Sequence, residues 1–172
     1  MEFLTTIKEQ LPDWAKDIRL NLDAVIARST LAPEDAVGAA LSAAYAARSP
    51  VLVEAFKSGL SEADANAALT ASALMGMNNT WYPYVEMTGD AQLKSLPAQL
   101  RMNAYATHGG VDKKRFELFA LVASIIGKCH FCVASHYENL KKDGLSTEQL
   151  RDAGRIASVV NAAALALAAQ GK

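Results

Sequence analysis

An all-α fold is what this sequence predicts, and three observations predict it. Apolar residues recur at helical rather than strand spacing along almost the whole chain. Hydrophobic residues make up 51% while aromatics are only 7%, so much of the apolar content is Ala. Ala is the best helix former and lets neighbouring helices approach closely. No alternating β-branched run competes with that pattern. A chain of 172 residues is long enough for one domain with a core of its own, residues 1–172.

Each element has its own signal. Leu11 to Ala27 opens with Pro12-Asp13, where Asp13 is expected to cap a helix. Pro33 followed by Glu34 and Asp35 marks the next start, since Pro suits the first turn and acids suit the positive end of the helix dipole. Ser61 with Asp64, and Ser146 with Gln149, resemble capping boxes. Asp112 is expected to cap a helix over 113–126, with Val111 and Phe116 as a hydrophobic staple. The longest apolar segment, Ile156 to Ala169, is interrupted by Ser158 and Asn161 and reads as a core helix too short to span a bilayer.

The least regular stretch runs from Tyr82 to Gly110 and contains Pro83, Gly89, Pro97 and the pair Gly109-Gly110. It is expected to join two repeat halves, 33–82 and 111–170, through an irregular segment 83–110. The halves are faintly alike. Gly59-Leu60-Ser61-Glu62 follows one amphipathic helix and Gly144-Leu145-Ser146-Thr147 follows another. Sliding Leu41 onto Leu121 lays Ser49, Leu52 and Phe56 over Cys129, Cys132 and His136. This is the pattern expected of a duplication in which only the second copy kept its chemistry.

Seventeen basic residues face eighteen acidic ones, for a net charge of −1 and no basic run. The electrostatic footprint of a nucleic-acid binder is missing, so no nucleic-acid partner is expected. The N-terminal Met-Glu-Phe-Leu-Thr-Thr-Ile-Lys-Glu lacks the basic start and long apolar stretch of a signal peptide. Two Cys residues three positions apart do not make a secreted disulfide framework. A cytoplasmic, non-membrane location is therefore expected. In a reducing compartment such a pair is catalytic, redox-cycling or metal-binding.

The informative stretch is Gly127-Lys-Cys-His-Phe-Cys-Val-Ala-Ser-His136. Gly127 is expected to end one helix and the next to run from about Cys129 to Lys142. On that helix Cys129, Cys132, Val133, His136 and Leu140 share one face, so the dithiol should be only partly exposed. Near the helix N-terminus the dipole and free N–H groups favour a Cys129 thiolate, and Lys128 adds positive charge. Two sulfurs one turn apart can close a disulfide with little backbone movement. His136, one turn beyond Cys132, is placed to take its proton. Glu117 stands out among Phe116, Leu118 and Phe119; if its helix faces the cysteine helix, it can orient His136.

Other readings stand beside this one. The Cys pair with His136 and His108 or His130 could form a structural zinc site, although such sites usually have four well-spaced ligands. Two inert buried thiols would be ordinary core residues. Glu117 alone fits an ion pair with Lys113 or Lys114 at helical spacing. A thioredoxin-like fold is disfavoured because a helix, not a strand, precedes the motif.

Glu117, followed by Cys129-x-x-Cys132-x-x-x-His136, resembles the signature of the alkyl hydroperoxide reductase D-type proteins, within the broader carboxymuconolactone decarboxylase-like superfamily. The resemblance extends to Leu11–Leu22, Met75-Gly-Met-Asn-Asn79 and Leu100-Arg-Met-Asn103, and so covers nearly the whole chain. It implies an all-α fold with an internal repeat, and a homotrimer. It implies reduction of organic hydroperoxides, with no bound cofactor or metal. Electrons would come from dihydrolipoamide carried by a 2-oxo acid dehydrogenase complex and pass to a partner peroxiredoxin. Cys132 would attack the peroxide, Cys129 would resolve it as a disulfide, and His136 and Glu117 would relay protons. One departure stands out. Family members often carry His immediately before the second Cys, where this chain has Phe131. His130 lies one step back, about 100° around the helix. Two rivals follow: a decarboxylase or lyase using Glu117 and His136 alone, and a zinc-stabilised interaction module.

Overall fold

The helix starts follow their side-chain chemistry. The computed structural model describes residues 1–104 and 111–172, and the described residues form nine α-helices and no strand. Helix α1 spans Glu2–Gln10, α2 Lys16–Leu22, α3 Pro33–Ala46 and α4 Pro50–Lys57. The long α5 covers Glu62–Thr88 and the short α6 Ala91–Ser95. Then come α7 (Lys113–Ile126), α8 (His130–Lys142) and α9 (Thr147–Ala168). Pro33 opens α3 at its first turn. Ser61 accepts the Asp64 N–H, Asp112 accepts the Arg115 N–H, and Ser146 with Gln149 makes a full capping box.

Two expectations are corrected. Leu11–Ala27 is not one capped helix: a 3-10 turn at Asp13–Ala15 precedes α2, which widens into a π turn at Asp23–Ala27. The Asp13 carboxylate pairs with Arg19 at 3.1 Å instead of capping. The irregular stretch also begins later than residue 82. Helix α5 runs straight through Pro83 and stops at Gly89, whose φ of 64° only glycine adopts freely. Pro83 removes one helical N–H, which a 27-residue helix outlasts. Asp90 then caps α6 through the Gln92 and Leu93 N–H groups.

Helices α3 and α7 form the centre. Helix α3 packs on α4, α5, α7 and α9, and α7 also meets α5, α8 and α9. Every residue of α3 from Ala36 to Ala44 is buried. Ala and Gly make that possible. A Cβ on Gly38 would collide with the Phe119 ring, so the smallest residue lets the largest one in. Ser42 is satisfied in this core by the Phe119 carbonyl at 2.7 Å.

The turns leaving α3 and α7 repeat each other bond for bond. In the first, Arg48 N–H donates to Tyr45 and Ser49 N–H to Ala44. In the second, Lys128 N–H donates to Ile125 and Cys129 N–H to Ser124. Both are Schellman closures with a left-handed residue, Arg48 at φ 57° and Lys128 at φ 54°. Each hands the chain directly to the residue that starts the next helix, Ser49 for α4 and Cys129 for α8.

Candidate active site

Gly127 ends α7 as its last capping residue, but with φ −72° it is not the left-handed one. It has to be glycine for another reason: a Cβ there would strike the side chain of Asn79. Asn79, on α5, donates to the Ala123 carbonyl at 3.1 Å and so caps the C-terminal end of α7. The turn that carries Cys129 is thus clamped from α5.

Cys129 is the N-cap of α8, and its Sγ accepts the Cys132 N–H at 3.2 Å. That is the position where the dipole and an oriented N–H most favour a thiolate. Cys129 and Cys132 are joined as a disulfide, with Cα atoms 5.3 Å apart. The expectation of partial exposure does not hold, since Cys129 is 0% and Cys132 3% exposed. The cause is α5, which lies over the motif: the Asn78 carbonyl is 3.9 Å from the Cys129 sulfur. A groove of about 440 Å³ opens at Cys129, its lining including Ile125, Lys128, His130, Val133 and Tyr137. Its walls are mainly apolar, which suits an organic substrate better than a charged one.

Helices α7 and α8 meet, and Glu117 meets His136. The Glu117 Oε2 is 2.6 Å from His136 Nδ1, with both side chains mostly buried. Burial alone would raise the Glu117 carboxyl. The hydrogen bond and charge of His136, with Asn139 and Lys113 adding to them, outweigh it and hold Glu117 below the ordinary carboxylate range. An ionised Glu117 accepts, so the Nδ1–H donates and Nε2 is the nitrogen left for proton transfer. That nitrogen lies 3.2 Å from the Met75 sulfur.

His130 and Phe131 engage side chains of α5. His130 Nδ1 faces Glu86 at 3.2 Å on the surface, and the Phe131 ring lies against Tyr82 with centroids 4.4 Å apart. Both border a second cleft of about 790 Å³ between α5, α6 and α8. The zinc reading joined the Cys pair to His136, with His108 or His130 as a further ligand. His130 Nδ1 is engaged by Glu86, and His108 lies outside the described residues. No group of three or more His, Cys, Asp or Glu among the described residues could hold a metal ion.

The reading from sequence did not single out the residues of α5 as part of the site. Met75, Asn78 and Asn79 touch His136, Cys129 and the end of α7, respectively. The signal available was the adjacent amides Asn78 and Asn79, one turn beyond Met75 in an Ala-rich helix.

Comparison with known proteins fits this geometry. The model of the carboxymuconolactone decarboxylase family matches residues 91–170, which include both cysteines, His136 and Glu117. An alkyl hydroperoxide reductase AhpD of Rhodospirillum centenum is 43% identical over 97% of this chain and 91% of its own. The AhpD of Maricaulis maris is 41% identical over 97% and 98%, and that of a Bradyrhizobium species 40% identical over 95% and 92%. With such identity along nearly its full length, the chain belongs to the alkyl hydroperoxide reductase AhpD family, within the carboxymuconolactone decarboxylase family.

Proposed function

We propose that this protein is a thiol-dependent alkyl hydroperoxide reductase and dithiol relay. The observation that carries the reading is a Cys129–Cys132 disulfide on one helix whose His136 is held by a carboxylate from the next. In the reduced protein His136 takes the Cys132 proton and the thiolate attacks the peroxide oxygen. The O–O bond breaks, the alcohol leaves with a proton, and Cys132 becomes a sulfenic acid. Cys129 displaces its oxygen as water and closes the disulfide. Two electrons and two protons have then passed from the dithiol to the peroxide.

Reduction runs the disulfide the other way. A donor thiolate attacks Cys132 and expels Cys129, which leaves readily because the N-terminus of α8 stabilises its thiolate. Family resemblance supplies the finer assignments. They are dihydrolipoamide on a 2-oxo acid dehydrogenase complex as donor, a peroxiredoxin of the alkyl hydroperoxide reductase C type as acceptor, and a homotrimeric assembly. No helix among the described residues is long and apolar enough to cross a membrane.

A thiol count tests the cycle. Stoichiometric cumene hydroperoxide should take the reduced protein from two free thiols to none, and dihydrolipoamide should restore both. Cys132→Ser should abolish turnover. Thiols unchanged by peroxide would overturn the reading, and activity that survives thiol blocking would favour the lyase.

A further inference from the structure

One contact at the site has no part in the scheme above. His136 is gripped at both ring nitrogens, by Glu117 on Nδ1 and by the Met75 thioether on Nε2 at 3.2 Å. Met75 is 3% exposed, and Asn78 Nδ2 lies 4.0 Å from the same sulfur. The sulfur is thus held in place from its own helix. The segment 75–79 of α5 reaches the site at three points: Met75 on His136, Asn78 on Cys129 and Asn79 on the end of α7.

A thioether can only accept. With Glu117 ionised and taking the Nδ1–H, a ring carrying no proton on Nε2 would set a nitrogen lone pair against sulfur. A ring carrying one makes a hydrogen bond instead. We propose that Met75 is a positioning residue for His136, its thioether accepting Nε2–H while the disulfide is closed so that the ring holds a proton ready for the reductive half. The inference rests on the dithiol cycle proposed above and assigns a task to its reductive half.

In that half, the first donor thiol gives up its proton and attacks Cys132, and the S–S electron pair goes to Cys129, which takes up that proton. The donor's second thiol then displaces Cys132, whose sulfur departs with the bonding pair and takes the Nε2 proton. The donor's second proton refills His136. The donor ends as a disulfide and the protein as a dithiol, so two electrons and two protons are transferred. The charged group facing His136 is Glu117 of α7, itself under the charge of Lys113; α5 brings the neutral Met75, and its Glu86 is engaged by His130 at the surface.

Two substitutions separate this role from packing. Met75→Leu keeps apolar volume and removes the acceptor, whereas Met75→Gln keeps an acceptor at similar reach and adds polarity. A packing role makes Leu the better replacement; the positioning role makes Gln the better one. Opening of the disulfide by dihydrolipoamide should slow about tenfold or more in Met75→Leu, through kcat rather than KM, and stay near wild type in Met75→Gln. Met75→Leu as fast as wild type, or Met75→Gln slower than Met75→Leu, overturns the proposal. The wild-type protein gives a second readout that needs no variant. Ring nitrogen-15 shifts of His136 in the oxidised protein should show protons on both nitrogens, and a bare Nε2 overturns it. Dithiothreitol reads the same comparison if dihydrolipoamide leaves the wild-type disulfide closed, so a wrong donor and a wrong role for Met75 are told apart.

Discussion

At the scale of single residues, the pair Glu117–His136 sets the chemistry. Its carboxylate is ionised in a mostly buried position because His136 outweighs the effect of burial. A carboxyl held below its ordinary value adds stability above about pH 4.5, and that stability is lost as pH falls through the folded-state value. Glu117→Gln should therefore cost about 1–2 kcal/mol at pH 7, the scale of a hydrogen bond to a charged group. The gap between wild type and variant should narrow between pH 7 and pH 3, because only the wild type has this stability to lose. Urea midpoints of both proteins at the two pH values check it, and a gap constant with pH would show that Glu117 is not ionised. Peroxidase activity should fall about tenfold or more, since Gln leaves His136 oriented without the charge that favours its protonated form. Cys129, Cys132 and His136 were legible in the sequence because one helix carries all three and its period fixes their face. Glu117 was legible as an odd carboxylate, but the meeting of α7 and α8 was not. Met75 was named only within a segment of family resemblance, because its partner in the site arrives from a helix sixty-one positions away.

At the scale of elements, the turn between α7 and α8 delivers Cys129 to its place. Caps and capping boxes were legible because they are local chemistry, three residues from donor to acceptor. The end of α5 was misread for the same reason: Pro83 is a local signal of termination that the packed length of α5 overrides. Gly127 was read as a helix end, correctly, but its cause is tertiary. Gly127→Ala should cost about 1–3 kcal/mol, because the new methyl group must displace Asn79 and with it the cap on Ala123. Asn79→Gly gives up that cap but removes every side-chain atom, Cβ included, that the new methyl group would strike. The double variant should thus be more stable than the two single losses predict when added together. A double-mutant cycle by urea denaturation measures this, and strict additivity would mean that the close approach carries no energy. The turn after α3 has the same hydrogen bonds without the cysteines, so its geometry serves to reverse the chain and not to do redox chemistry.

At the scale of the whole molecule, the site is a junction: α8 brings the cysteines and His136, α7 brings Glu117, and α5 brings Met75. What fixes α5 against α7 is therefore part of how the site is held. Beyond apolar packing, the strongest polar tie is Arg115, at the start of α7. Its Nε meets Asp35 of α3 at 2.5 Å and its Nη1 meets Asp64 of α5 at 2.6 Å, with all three side chains about one-fifth exposed. Two carboxylates so placed tolerate each other only because the guanidinium lies between them. Arg115→Met keeps most of the volume and removes the charge, leaving both acids half-desolvated and facing the same gap. The expected loss is about 2–4 kcal/mol. If uncompensated charge is the cause, adding Asp35→Asn and Asp64→Asn to Arg115→Met should recover most of it. If lost packing is the cause, the triple variant should be no better than the single one. Thermal melts of the three proteins at pH 7 decide between the two causes, and a triple variant no more stable than the single one would place the role of Arg115 in packing.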